Sequence, residues 1–132
     1  MITDLETIEL SGIKAPVARV GFGCCPMGRH GWGETSEAEL VEAVEAALDV
    51  GINFFDTADV YGLGESERIL GESLKGRRAE VVIGTKFGVR RESDNTFFDN
   101  SPKWIRYALD ESLRRLQTDY VDIYQQNMLN NH

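Results

Sequence analysis

Positive charge is scarce in this sequence. Fourteen Lys and Arg stand against twenty-two Asp and Glu in 132 residues, a formal net charge of −8. No basic stripe is available to release counterions from a nucleic acid or to hold an anionic bilayer, so neither partner is expected. The acidic residues are spread along helix-like segments and read as a solvated surface. Long apolar runs are missing too: nothing approaches the ~20 residues of a membrane span. The opening MITDLETIEL is acidic and lacks the basic and apolar regions of a secretory leader. Cysteine is nearly absent, and Cys24 and Cys25 are adjacent, a poor arrangement for a staple. That predicts a reducing, cytoplasmic setting. Also missing is a G-x-G-x-x-G fingerprint after the first strand, since GFGCCPMG has glycines at 21, 23 and 28 only. A dinucleotide-binding fold of the doubly wound type is therefore disfavoured.

What is present fits one ordinary globular domain spanning residues 1–132, with 42% apolar and 27% charged residues. Two strand-like pieces, TIEL and PVARVGFG, flank the turn SGIK and predict a hairpin. CCPMGRHGWGET (24–35) reads as loop. Ser36 and Glu39 form a capping box ahead of Leu40, Val44, Ala47 and Leu48 at helical spacing, and Gly51 ends that helix. INFFD (52–56) is a short strand. Ser66 is the expected cap of a second helix carrying Ile69, Leu70 and Leu74 and closed by Gly76. EVVIGTK (80–86) is a near-continuous apolar strand of the kind buried on both faces. RRESDNTFFDN (90–100) is expected to be a long polar loop. Ser101-Pro102 opens a third helix with Ile105, Ala108, Leu109, Leu113 and Leu116, and YVDIYQQN makes a fourth strand.

Alternating strands and helices imply a parallel sheet with right-handed crossovers. In a parallel β/α barrel the chemistry sits at the C-terminal ends of the strands. Asp56, Lys86 and Asn127 each fall at or just past such an end, so all three would converge on one face.

Three stretches in order, DTADVYG (56–62), IGTK (83–86) and DESLRRLQTDYVDIY (110–124), resemble the aldo-keto reductase family, as do GESERILG (64–71) and the opening hairpin. The resemblance implies an α/β fold: the N-terminal half of a (β/α)8 TIM-type barrel, preceded by a β-hairpin that plugs its bottom. It implies NADP(H)-dependent reduction of an aldehyde or ketone to an alcohol. Position by position, Tyr61 resembles the general acid that protonates the carbonyl oxygen. Lys86 resembles the cation that eases that proton transfer, and Asp56 the carboxylate that keeps the lysine charged. A free phenol holds its proton too tightly for easy transfer near neutrality, and an adjacent buried cation loosens it. Gly23, Cys24 and Asp56 match positions that touch the cofactor, and Cys24 with Cys25 the place where backbone after the first strand lies against the ribose. Taken singly these residues have ordinary readings: Tyr61 as packing, Lys86 as a solvated strand end, Asp56 as a turn former, Cys24 and Cys25 as small buried thiols. His30 and Trp32 are candidates to line a pocket, Phe97 and Phe98 to form a lid, and Trp104 to serve a core or interface.

Two departures accompany the resemblance. The family usually ends the fourth strand with histidine, in the form D-Y-x-D-x-Y-x-x-H, and DYVDIYQQN puts Asn127 there. The amide can donate a hydrogen bond but cannot change charge, which predicts slow turnover. His132 is no easy replacement, because five extended residues span roughly 16 Å. The second departure is length. A full barrel takes about 250 residues, and the family's phosphate-binding loops follow strands seven and eight. The expectation is either a fragment of a longer polypeptide that carries the missing C-terminal half, or a half-barrel completed by another chain, most simply a second copy, with weak cofactor affinity by itself. The competing expectation is a weakly catalytic or non-catalytic assembly or regulatory subunit.

Overall fold

A computed structural model describes residues 5–127. Four short strands, β3 (Phe22–Gly23), β4 (Phe54–Asp56), β5 (Val82–Phe87) and β8 (Ile123–Gln126), form one all-parallel sheet in that order. Helices α1 (Glu37–Asp49), α2 (Glu65–Ser73) and α3 (Pro102–Leu116) fill the crossovers and cover one face. The helix-side core joins Phe55 and Ile83 of the sheet to Leu40 and Val44 of α1, Ile69 and Leu70 of α2, and Leu116 of α3. This is the expected half-barrel order of strands 1–4 and helices 1–3.

The other face is the barrel interior. Gly23, Asp56, Gly84 and Ile123 pair in register across the four strands, with Lys86 and Gln125 one step nearer the strand ends. Phe54 fills the floor of this face because its flanking positions are glycine. A Cβ on Gly21 would lie 2.8 Å from the Phe54 ring, and one on Gly84 would lie 3.5 Å from it.

The hairpin β1 (Thr7–Ile8) and β2 (Val17–Ala18) is antiparallel. Asn53, at the start of β4, fastens it: Asn53 Oδ1 accepts from Ala18 N (2.8 Å) and Nδ2 donates to the Pro16 carbonyl (2.9 Å). The hairpin thus closes the N-terminal end of the sheet, opposite the candidate site. PVARVGFG is accordingly two strands rather than one. Its first half pairs with β1, and after Gly21 its second half joins the parallel sheet.

Capping follows the sequence closely at two helices. Ser36 and Glu39 form the reciprocal box, Gly51 follows α1 at φ +91°, and Ser101 caps α3 with Pro102 in the first turn. At α2 the expectation fails. Gly64, at φ +99°, is the N-cap, and Ser66 lies inside the helix with no exposed surface. Its hydroxyl is needed elsewhere, as described below. The 24–35 segment contains a 3-10 turn at Cys25–Gly28.

The polar segment 90–100 is not an open loop. It folds as a second hairpin, β6 (Val89–Glu92) with β7 (Asn95–Phe98), turning at Ser93 in the left-handed region (φ 53°). Both strands lack a buried apolar face, which is why alternation did not reveal them. Arg90 organises the hairpin: its guanidinium lies over the Phe97 and Trp104 rings and pairs with Asp99 (2.7 Å). The register of β8 is set by Asp122, which accepts from Ile83 N and from Arg78, both at 2.8 Å.

Candidate active site

The site is assembled by three consecutive devices at the C-terminal end of the sheet. First, β4 delivers Asp56 and β5 delivers Lys86 to the interior side, Lys86 lying two residues beyond Gly84, the register partner of Asp56. Second, the chain leaving β4 is held flat against β5, because Thr57 N donates to the Gly84 carbonyl (2.9 Å) and Asp59 N to the Lys86 carbonyl (3.4 Å). Third, the turn that follows brings Tyr61 back over the strand end. Tyr61 N donates to the Ala58 carbonyl (3.3 Å), and the Tyr61 carbonyl accepts from Ser66 N (3.1 Å). Gly28 and Gly62 touch backbone to backbone beneath it: a Cβ on Gly28 would lie 2.5 Å from Gly62 N. Only glycine fits at either position.

The result is one cluster. Lys86 Nζ donates to Asp56 Oδ2 (2.9 Å), to the Thr57 carbonyl (2.9 Å) and to the Tyr61 hydroxyl (3.3 Å). An ammonium has three protons, so these three acceptors satisfy it. Burial works to lower the Lys86 pKa, but hydrogen bonds to Asp56 and Tyr61 and the charge of Asp56 outweigh it. The group is held above its ordinary range and stays cationic. Lysine can only donate, so the phenol oxygen of Tyr61 is the acceptor in their contact. Its own proton is not used in that contact.

Asn127 arrives at the same strand end. Its N–H donates to the Phe87 carbonyl (2.7 Å), extending the β5–β8 ladder by one residue beyond Gln126. Gly23 lies beside Asp56 in register, and a Cβ there would meet nothing within 4 Å, so its surface opens into the mouth. Cys24 turns the other way. Its side chain is fully buried in the helix-side core, its N–H donates to the Asp56 carbonyl (2.8 Å), and its carbonyl accepts from Ser66 Oγ (2.7 Å). Burial and the nearby Asp56 push its thiol far up, leaving it inert. His30 lines a rim cavity with Val60, Leu63 and Arg91. Trp32 is exposed, as are Phe97 and Phe98 on the second hairpin. Trp104 stacks beside Tyr107. His132 lies outside the described residues.

Sequence reading passed over Thr57, Thr85, Glu67 and Asp59. All but Asp59 are fully buried polar residues within a residue or two of the motif positions. Asp59 is pushed up to about 7 by burial first and by Glu67 second. Among the described residues no cluster of three or more His, Cys, Asp or Glu could hold a metal ion, and no helix is long and apolar enough to cross a membrane.

Comparisons with known proteins agree with this geometry. The sequence profile of the aldo/keto reductase family matches residues 19–129. Aldo-keto reductase YhdN of Bacillus subtilis is 40% identical over 124 residues, covering 92% of this chain and 37% of the relative. L-galactose dehydrogenase of Arabidopsis thaliana is 41% identical over 125 residues, covering 92% and 38%. Among solved structures, the holo form of aldo-keto reductase AKR11C1 from Bacillus halodurans superposes with a TM-score of 0.82 at 37% identity, covering 93% of this chain and 40% of that one. An aldo-keto reductase from Klebsiella pneumoniae in complex with NADPH gives 0.73 at 30% identity, covering 92% and 39%. The chain therefore spans well under half the length of these relatives, and within that span it carries their N-terminal (β/α) barrel half. By its strand order, its strand-end cluster and these matches, the chain belongs to the aldo/keto reductase family.

Proposed function

We propose that this chain is the acid-bearing half of an NADP(H)-dependent carbonyl reductase, converting an aldehyde or ketone to an alcohol. One observation carries the reading: the Tyr61 hydroxyl accepts from Lys86, whose ammonium is held by Asp56 and kept above its ordinary range. NADP(H), when bound, supplies the hydride; the open surface of Gly23 beside Asp56 fits its nicotinamide end. A substrate carbonyl above Tyr61 receives the phenol proton as its oxygen gains charge, and the ammonium beside the phenol stabilises the charge left on Tyr61. Asp56 keeps that ammonium paired before and after transfer. Asn127, at the end of β8, would donate an amide hydrogen bond to the same oxygen.

The half-barrel is completed, in this reading, by four further strands. The outer edges of β3 and β8 have no strand partner among the described residues. Phe54 and Ile123, each half-buried on the interior face, give an apolar surface for completion. Those strands come from a second copy of the chain or from the C-terminal half of the barrel, in the same polypeptide or in another. A cytoplasmic setting belongs to the same proposal and rests on the two free cysteines. Asn127 favours a second reading, a weakly catalytic assembly subunit, because asparagine cannot share a proton. Sedimentation of the purified chain, joined to an NADPH titration and a carbonyl-reduction assay, tests the proposal. The assay is repeated on a complete barrel in which this half is joined to the second half of the YhdN relative. The proposal predicts self-association or pairing of the chain, with turnover only in the complete barrel. A complete barrel that binds NADPH and reduces no carbonyl would leave the subunit reading in its place.

A further inference from the structure

We infer that Glu67 is a positioning residue for Lys86, part of a buried brace in which α2 fixes the two strand ends that carry the site. The argument rests on the functional reading above for its consequence, but not for its geometry.

Ser66 and Glu67 are consecutive and have no exposed surface. Residues one apart on a helix do not share a direction, and here each takes a different strand end. Ser66 Oγ donates to the Cys24 carbonyl at the end of β3 (2.7 Å) and lies 2.9 Å from Thr57 Oγ1. A serine has one proton, already used on Cys24, so Thr57 is the donor in the second contact. Thr57 follows Asp56 directly, and its carbonyl is one of the three acceptors of Lys86. Glu67 Oε1 accepts from Thr85 Oγ1 (2.6 Å), and Thr85 precedes Lys86 directly. The second carboxylate oxygen, Oε2, accepts from Arg115 Nε of α3 (2.7 Å). Thr57, next to Asp56, and Thr85, next to Lys86, are thus each pinned from beneath through a hydroxyl, and both pins end on one turn of α2.

The glycine pattern shows that this route is built into the packing. Arg115 reaches Glu67 through the space left at Gly64, where a Cβ would lie 2.6 Å from the arginine Cδ. Two helix turns further on, Gly71 lets the end of α3 approach until a Cβ would sit 2.7 Å from the Arg115 carbonyl. A fully buried carboxylate is costly unless paired and hydrogen-bonded. Hydrophobic packing alone would not call for one here, and Leu70 and Ile69 on the same helix already supply it. The brace holds Thr85, and through it the backbone of Lys86, against α2 and α3.

The test reads Lys86 itself and needs no turnover, so failure of the reductase reading and failure of this inference are separable. The chain has four lysines, and Lys75 is exposed. In nitrogen-15 lysine NMR of the purified chain, the Lys86 ammonium, held by three acceptors, should be the slow-exchanging signal. Thr85→Val removes the pin, and Glu67→Gln turns an amide N–H2 toward Arg115. Each should speed Lys86 ammonium exchange by about tenfold, the effect of weakening one hydrogen bond to a charged group. Thr85→Ser keeps the hydroxyl and should restore the slow signal, which a merely structural role of residue 85 does not predict. Arg115→Lys, a milder change that keeps the charge and folds even if the others do not, should give a severalfold increase. Unchanged Lys86 exchange in folded Thr85→Val, Glu67→Gln and Arg115→Lys chains would overturn the inference and leave Glu67 as ordinary core.

Discussion

Replacing Gly28 with alanine should disable the site while leaving the fold in place. The added Cβ would lie 2.5 Å from Gly62 N and 2.7 Å from the Tyr61 carbonyl carbon, whereas ordinary contacts begin at 3.4 Å. The two backbones must therefore part by about 0.9 Å, the difference between 3.4 and 2.5 Å. No flexible side chain stands between them to yield. Gly28 closes the Cys25–Gly28 turn, while the other partner is the turn carrying Tyr61, so that turn takes up the movement. The Tyr61–Lys86 contact is already long at 3.3 Å, and a shift of that size puts it beyond hydrogen-bond reach. A misplacement of ~1 Å costs on the order of a hundredfold in rate. Overpacking a well-filled site costs about 1–3 kcal/mol of stability, a loss of several degrees in Tm. The assay is kcat/KM for aldehyde reduction by the complete barrel, followed by NADPH absorbance, with a thermal melt alongside. Gly12→Ala is the control. Gly12 sits in the far hairpin turn at φ +85° with nothing near its Cβ, so alanine there strains the backbone without touching Tyr61. It should lower Tm and leave kcat/KM alone. Wild-type kcat/KM in Gly28→Ala would refute the claim that this backbone contact sets the tyrosine.

Two further outcomes are expected. Asn127→His in the complete barrel should raise carbonyl reduction on the order of tenfold to a hundredfold, since one oxyanion-type donor is worth about 3 kcal/mol in strong cases; steady-state rates of both forms decide it, and an equal or lower rate would mean Asn127 is not the limiting departure. Burial first, and the charge of Glu67 second, push Asp59 from an ordinary value of 3.8 up to about 7 in the folded chain. The folded state therefore binds a proton that the unfolded state releases across that interval, and stability falls as pH rises through it. Asp59→Asn should raise Tm at pH 8 and change it little near pH 4, as read by melts across the range; a uniform shift at all pH values would contradict the burial of that charge.

The parts of this molecule that could be read from sequence are those where one local rule decides. Ser36 with Glu39 and Ser101 with Pro102 cap their helices through contacts three residues apart, and both stand as expected. The run VVIGTK was legible because a strand buried on both faces needs continuous apolar residues. Asp56, Lys86 and Asn127 were placed on one face by the rule that barrel chemistry gathers at strand ends, and Tyr61 was joined to them by the resemblance to the aldo-keto reductases; in the structure Lys86 Nζ lies 2.9 Å from Asp56 and 3.3 Å from the Tyr61 hydroxyl. What escaped was decided by distant partners. Ser66 has the composition of a cap, yet its hydroxyl goes to Cys24, 42 positions away, and a glycine takes the capping place. Glu67 looks like a surface helix acid until Arg115, 48 positions on, is brought to it. The β6–β7 hairpin has no apolar face to betray it, and its order comes from Arg90 reaching Phe97, Trp104 and Asp99.

The central claim is that Tyr61, eased by Lys86, gives its proton to a substrate carbonyl. Tyr61→Phe tests it most directly, because the ring and its packing stay and only the hydroxyl is lost. The measurement is single-turnover reduction of an aldehyde by the NADPH-loaded complete barrel, wild type against variant, with NADPH affinity measured in parallel. The account predicts a rate lower by ~10²-fold or more, the scale of a general acid, with NADPH affinity unchanged. An equal rate in the phenylalanine form would contradict it.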